Sequence, residues 1–485
     1  MDDKSIIRSL FEPTIELDEL SVTDAFYNSD GSDPIGRGQR TPEIETVDYP
    51  FVSLNGYIFR TGEIKSFDID GTGFIPTINM LIELGPSSEF LSTVFPKDGD
   101  LLNVFIRGRD DLLKPLRNDY IITNIEVLST QTQMGDGAKI YIEGSLHIPR
   151  LYDEMSYVKS GTSFEVLKEI ANELGMGFAT NVESTNDEMN WICANETQHD
   201  FIQHIGDNMW SDEKSFYTVF IDIYYHLNVI NCNTQFSDES ESLLGMSDSI
   251  KNAYLSDKEH EKVEVQKIFS NDPAMEESNF YMRSLKPINN SSSISRSYGY
   301  SYNLNFFEHN SLKDWDFPIE PLVTEGNEET KILLKGRPNE DFYKTQQKFN
   351  FLGVQYSYPE HNVHEKYYIA KVHNMMNLAE IQKMNVEIVV NKLNFNFIRF
   401  EKVPVIRRVV GDQSLARKMN DEYAEGGESQ NYSEKFILDK YYTGWYAIKG
   451  FRIHYSPNTG NDRARKPMTQ TFILARREWP SISGE

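Results

Sequence analysis

The period of apolar and polar positions changes three times along this chain. From residue 46 to residue 150 it is mostly that of strands. Stretches 57–59, 63–69, 78–84, 102–107, 120–128 and 139–149 are rich in Val, Ile, Phe and Tyr with partial two-residue alternation, the pattern of half-buried strands. Asp70-Gly71, Asp98-Gly99 and Asp136-Gly137 supply turn residues between them. No helical period interrupts the block except a weak one at 88–95. Six such strands suit a small closed or nearly closed β-barrel.

The period then becomes helical. Phe164, Leu167, Ile170, Ala171 and Leu174 form one apolar face over 163–173, and Thr162 with Glu165 has capping-box spacing. Gly175 and Gly177 mark the stop, where a positive φ is cheap. A second helix over about 198–208 buries Phe201, Ile202, Ile205 and Met209, with Thr197 or Asn195 as cap. Each helix is too short to stand alone in water, so both must pack on β-rich neighbours.

Past these helices, 215–232 is aromatic and β-branched, one bent strand or two. Residues 234–275 are charged, with a weak helical signal in ESLLGMSDSIKNAYLSD, and 289–305 are Ser- and Tyr-rich, an adaptable loop or an edge strand. Strand-like pieces recur at 331–334 and 351–356. From 371 the β character resumes, with 380–389 and 393–400 able to pair, a locally helical 414–424 and a Gly-bearing loop at 425–433. The closing hairpin, GWYAIKGFRIHYS then MTQTFILARREW, resembles the one at 120–149. Two barrels of one kind, one towards each end, follow from that likeness. Residues 1–45 are polar with apolar patches at 6–11 and 15–20, an extended arm ordered on a partner or a tail without order.

Composition narrows the function. At 485 residues, two to four domains are expected. A formal charge of −26 repels nucleic acid and anionic membranes, though DNA can pass nearby without sticking. Cys193 and Cys232 are too few for a disulfide scaffold or a thiolate zinc site. The opening MDDKSIIRSLFEP has no signal-peptide pattern, and no apolar run reaches membrane-span length, so synthesis in the cytosol is expected.

Catalytic chemistry is mostly absent. There is no phosphate-cradling Gly loop before a lysine, no GxSxG, no HExxH and no CxxC. His199 and His204 are five apart and do not share a helical face. His226 reads as a satisfied core or interface histidine. His361, His364 and Glu365 resemble a ligand set but sit among polar neighbours and read as an exposed loop. Asp222 and Glu83 are strand carboxylates that no rule pairs as in a glycosidase. The expectation is no enzyme: no catalytic residue, no cofactor site and no metal site.

The phrase FEVLKEIANELGMGFA, followed by MNWI and ETQHDFIQHIGDNMW, resembles the middle domain of baseplate hub proteins of contractile (myovirus-type) phage tails, with the related late-control and VgrG-type hub domains. The residues that carry the likeness are Leu167, Ile170, Ala171, Leu174, Gly175, Gly177, Trp191, Gln198, Phe201, Ile202 and Ile205. The closing strands are similar to the second barrel of such hubs. The resemblance covers most of 46–235 and 380–480.

It implies a mainly β fold with α+β parts: two tube-like β-barrel domains, a small helix-containing middle domain and outer elaborations. The corresponding organisation is an extended arm at 1–45, a first barrel at 46–150, the middle domain at 151–210, strands at 211–235 for the second barrel or middle domain, an outer or inserted domain at 236–379, and a second barrel at 380–485. The implied role is a homotrimeric pseudo-sixfold ring in the virion baseplate. It joins a tail tube or tube-initiator protein above to a central spike below, with wedge or peripheral proteins outside and a channel that passes DNA. An acidic or neutral lumen would be lined by Glu63, Asp68, Glu83 and Glu126 in the first barrel and Glu380 and Glu387 in the second. Arg107, Arg109, Arg407 and Arg408 would offset that charge at subunit contacts. The alternative is a carbohydrate-binding or depolymerising tail protein, marked by exposed aromatic platforms and a close carboxylate pair.

Overall fold

The computed structural model describes residues 6–17, 50–59, 62–85, 90, 96–106, 116–132, 135–236, 268–271, 280–288, 302–308, 313–319, 349–355, 364, 366–381, 384–410, 436–439, 442–456 and 468–476. The first strands are β1 (Arg8–Phe11), β2 (Pro50–Leu54), β3 (Tyr57–Ile58), β4 (Ile64–Asp70), β5 (Thr77–Leu84), β6 (Leu101–Ile106), β7 (Leu116–Thr132), β8 (Gly135–Leu146) and β9 (Glu154–Gly161). Next come α1 (Ser163–Glu173), β10 (Gly177–Thr180), β11 (Met189–Thr197), α2 (Gln198–Asp207), β12 (Tyr217–Ile221), β13 (His226–Asn231) and α3 (Cys232–Phe236). The remainder holds β14 (Phe269–Ser270), β15 (Met282–Ile288), β16 (Tyr302–Glu308), β17 (Lys313–Ile319), β18 (Phe349–Gln355), α4 (Tyr367–Ile381), β19 (Met384–Val390), β20 (Lys402–Ile406), β21 (Arg408–Val410), β22 (Phe436–Leu438), β23 (Gly444–Tyr455) and β24 (Met468–Arg476).

Thirteen of these strands form one sheet, in the order β15-β19-β24-β23-β4-β5-β8-β7-β6-β2-β3, with β20 on β23 and β14 on β20. Among the described residues, no sheet closes on itself. The two tube-like barrels expected at 46–150 and 380–485 are therefore corrected to one open sheet that contains both sets of strands. The cause lies in β23. Its residues 444–447 pair with β20, and its residues 452–455 pair with β4. The edge that a second barrel would close on is occupied by the first unit. Alternation sets which side chains face the core; it does not say which strand takes an edge.

Within the sheet, a five-stranded antiparallel unit occurs twice: β4-β5-β8-β7-β6, and β15-β19-β24-β23-β20. The copies agree in register, bulges included. The first strand slips at Ile64/Ser66 in one and at Met282/Ser284 in the other. The hairpin slips at Ile122/Asn124 and at Ile448/Gly450. Aligning the bulges sets Thr123 on Lys449, Asn124 on Gly450, Glu126 on Arg452 and Asp68 on Lys286. β15, which opens the second unit, lies inside the 236–379 stretch read as outer.

The middle region packs against this sheet. Thr162 and Glu165 form the capping box, and Phe164, Val166, Leu167, Ile170 and Ala171 of α1 are buried. Gly175 has φ +72, as a helix stop requires. Gly177 has a different reason: a Cβ there would lie 2.4 Å from the His226 ring and 2.9 Å from Pro13. Residues 215–232 resolve into two strands, β12 and β13, in a sheet ordered β1-β10-β13-β12. The arm's first patch thus lies on its own chain: β1 pairs antiparallel with β10, and Phe11 stacks on Phe178.

Two other expectations change. Residues 380 and 381 end helix α4 and do not begin a strand, and 393–400 form no strand. Asn394 is instead tied to Gln470 by N–H to Oε1 at 2.6 Å and Nε2–H to carbonyl at 2.8 Å. The helical signals at 241–257 and 414–424, the strand at 331–334 and most of 88–95 lie outside the described residues.

Candidate assembly surface

Register and burial give the large sheet two unlike faces. Ile453, Ile69 and Ile78 align on the core face, as do Phe67, Met80 and Ile142, all buried. The opposite face is polar and continuous across both units. Lys286 Nζ lies 3.6 Å from Glu387, Glu387 lies 3.7 Å from Arg452, and Arg452 Nε lies 3.0 Å from Asp70. His454 Nδ1 bonds Asp68, and Lys65 lies 3.3 Å from Glu83. The Tyr141 hydroxyl is pushed above its ordinary pKa, by desolvation first and then by the Glu143, Glu126 and Asp68 carboxylates beside it. Acidic side chains from both units thus share one face, interleaved with a smaller set of cations.

Asp68, Glu83, Glu126 and Glu387 are brought together on that face. Glu63 is not: its carboxylate accepts from Tyr57 Oη at 3.1 Å. Glu380 belongs to the last turns of α4. Arg407 is used inside the chain, 3.2 Å from Asp439 and over the Tyr442 ring. Arg408 opens β21, opposite Leu438. Arg107 and Arg109 lie outside the described residues.

The junction between the units is pinned by Arg399, which the sequence reading passed over. Its side chain is buried and donates to the carbonyls of Gly73 at 2.6 Å, Thr72 at 3.1 Å and Lys449 at 3.0 Å. It also stacks 4.1 Å over the Phe220 ring. Burial draws its pKa down to about 10. One side chain therefore ties the β4–β5 turn, the β23 bulge and the middle region. The available signal was a lone Arg inside the aromatic run FNFIRF. Asp187, also passed over, is buried and accepts from Ser163 N, Ser163 Oγ and Trp210 N, which fixes the start of α1. No sequence pattern marks it.

Most of the described histidines that the sequence singled out are bonded to neighbouring groups of the fold. His199 bonds Asp200 and Gln203, and His204 bonds Tyr367. His364 is buried against the Asn208 carbonyl at 3.1 Å, not on an exposed loop, while His361 and Glu365 lie outside the described residues. Desolvation lowers the pKa of both His364 and His373. His226 Nε2 is 3.3 Å from Glu12 on the arm, in ion-pair range but off hydrogen-bond geometry, and Nδ1 is 3.7 Å from Asp222. Asp222 accepts from Tyr224 N and His226 N and so caps the β12–β13 turn. Among the described residues, no cluster of three or more His, Cys, Asp or Glu is placed to hold a metal ion. No helix among them is long and apolar enough to cross a membrane.

No protein-family model and no curated protein matches the chain. Among solved structures, it is similar to a tail protein from Neisseria meningitidis MC58, at 10% identity and TM-score 0.45, covering 89% of this chain and 97% of that one. It is similar to a 43 kDa tail protein of prophage MuSo2 from Shewanella oneidensis, at 10% identity and TM-score 0.44, covering 89% and 98%. A Francisella PdpA-VgrG complex matches at 12% identity and TM-score 0.39, over 90% of this chain and 59% of that one. Likeness at this level transfers no function.

Proposed function

We propose that this chain is the structural hub subunit of a contractile phage-tail baseplate. It works as a homotrimer, a pseudo-sixfold ring that joins the tail tube above to the central spike below. The observation that supports this best is the register-matched duplication. Three copies of a chain built from two like units present six like units, which suits a sixfold tube on one side and a threefold spike on the other. The polar face lines the channel. Its carboxylates hold DNA phosphates off over the ~8–10 Å that physiological salt allows, and its cations are paired within the face. A basic lining would bind phosphates through counterion release and slow a moving genome. The 236–379 region meets wedge or peripheral proteins, and the protein is made in the host cytoplasm and carried in the virion. It performs no catalysis.

Mass measurement and a particle map of the purified chain test this. The expected result is a trimer with an axial opening lined by Asp68, Glu83, Glu126 and Glu387. A dimer, a ring without an opening, or a lumen with a continuous Lys/Arg belt would overturn it. So would hydrolysis of peptidoglycan or polysaccharide that is lost on changing one carboxylate.

A further inference from the structure

Beside Arg399 the large sheet and the middle region do not close on each other. They leave a cleft of about 590 Å³, within the range of small-ligand sites, between α2, β12, α4, the β4–β5 turn and the bulge of β23. Its walls are largely apolar, formed by Phe74, Val219, Phe220, Met375, Leu378 and Phe400. Met375 is left 38% exposed.

Charge in this cleft is unbalanced. Lys371 lies 3.2 Å from Asp207, so that pair is closed. Arg399 is offset by Asp222 and Asp70. Lys449, half-buried at the β23 bulge, has no such group: among the described residues no carboxylate pairs with its ammonium. Burial first, and then the Arg399 and Arg452 cations, hold its pKa below the ordinary lysine value. The hairpin does not require a lysine here. In the first unit the aligned position is Thr123, whose hydroxyl donates to the Glu143 carbonyl at 3.3 Å. A chain of formal charge −26 thus keeps one unmatched cation in an apolar cleft, where a single negative charge would relieve it.

The cleft also holds unpaired backbone. β12 ends the sheet β1-β10-β13-β12, with β13 on one side. Asp222 N–H donates to the His226 carbonyl and Cys232 N–H to the Phe216 carbonyl. By two-residue alternation, Tyr217, Val219 and Ile221 therefore turn their backbone groups away from β13. Two of these three donors are taken: Tyr217 N–H reaches Asn374 Oδ1 at 3.1 Å, and Ile221 N–H reaches the Phe74 carbonyl at 2.7 Å. Val219 lies between them and lines the cleft. Among the described residues its N–H and C=O have no partner.

We infer that the cleft is a docking site for a short acidic peptide segment of a partner protein. One carboxylate of the peptide pairs with Lys449, one residue of its backbone exchanges both hydrogen bonds with Val219, and its apolar side chains lie on Met375, Leu378 and Phe400. Phosphate or a fatty acid brings acceptors only and leaves the Val219 carbonyl unmatched, whereas a peptide unit brings a donor and an acceptor. A nucleic acid brings a row of charges to a cleft that has one to fill, and the acidic surface repels it. The docking does not depend on the ring proposed above.

The test is a saturation-transfer NMR titration of the full chain with acetyl-Ala-Leu-Glu-Leu-Ala-amide. Beside it run the same peptide with Gln for Glu and the same peptide with its backbone amides N-methylated. The Glu peptide should bind, and the other two should each bind about tenfold more weakly. Lys449→Met keeps the length of the side chain and removes the charge. It should weaken the Glu peptide about tenfold and leave the Gln peptide unchanged, and Lys449→Gln should do the same if the first variant does not fold. The free variant loses an unmatched cation, so it should unfold at the wild-type urea concentration or above it. Absence of binding by the Glu peptide, equal binding of the Glu and Gln peptides, or indifference to Lys449→Met would overturn the site. Full displacement of the peptide by equimolar inorganic phosphate would make it a small-anion pocket and overturn the peptide. Earlier unfolding of both variants would show that Lys449 serves the fold. Self-association lost in Lys449→Met while no peptide binds would make a second copy the occupant and overturn the partner protein.

Discussion

β7 and β23 are one strand used twice, and they part company halfway along. Both begin against a neighbouring strand, β6 or β20, and both carry a bulge at the same aligned position. Beyond the bulge β23 is sealed by β4, while among the described residues no strand pairs with the outer side of β7. Residues answer to that difference. Gly450 is a glycine because a Cβ there would come within 2.9 Å of Thr72 Cα, backbone that cannot easily move. Its counterpart Asn124 carries a side chain that reaches Glu143 at 3.3 Å. A repeat therefore need not be repeated residue for residue. Each copy is tuned to the edge it meets.

Removing the pin of the sealed junction should have the largest effect. Arg399→Ala leaves three carbonyls without their charged donor and opens a hole under Phe220, for an expected loss of about 3–5 kcal/mol in urea unfolding. Arg399→Lys should recover little, because one ammonium cannot reproduce the planar fork. An Arg399→Ala protein that unfolds at the wild-type urea concentration would show that the junction is held elsewhere. The bulge positions sharpen the comparison at smaller scale. Gly450→Ala should cost about 1–3 kcal/mol through the clash with Thr72, whereas Asn124→Ala should cost under about 1 kcal/mol. Equal costs at the two aligned positions would mean that the difference in covering is not what selects glycine.

The smallest effect concerns a third edge, that of β10, which the arm covers through β1. Burial by itself lowers the pKa of His226, but Asp222 and Glu12 outweigh it and the net direction is upward from about 6.5. A folded-state pKa above the unfolded one adds stability that is fully present below about pH 6.5 and is lost as pH rises through the folded value. Amide protection across residues 8–11 should therefore be greater in mild acid than in mild alkali, and His226→Ala should flatten that dependence. Protection that rises with pH would reverse the assignment.

Much of the middle region was legible in sequence because its signals are local. Thr162 and Glu165 mark a helix start by spacing alone, and Leu167, Ile170 and Ala171 mark its buried face. The closing hairpin could be matched to the earlier one because both place polar and apolar residues in the same alternation. Helix α4 was not legible. Asn374 and Asn377 are buried in it, bonded to the Met209 and His373 carbonyls, and polar residues on its inner face blur the helical stripe. The acidic face was legible only as a sum: Asp68, Glu83, Glu126 and Glu387 share it, but Glu63 does not.

What the sequence by itself determined is therefore whatever depends on neighbours a few residues away: strand alternation, helix caps, turn residues and the likeness of the two hairpins. What only the tertiary structure decided is which edges meet. β4 lies on β23 at a separation of nearly four hundred residues, as with His454 and Asp68, 386 positions apart. A strand offers the same N–H and C=O groups to any partner that reaches it, so its own residues do not name the neighbour. That choice was made by Arg399, by Gly450 and by the charges on the two strands acting together, once the folded chain had brought them within reach.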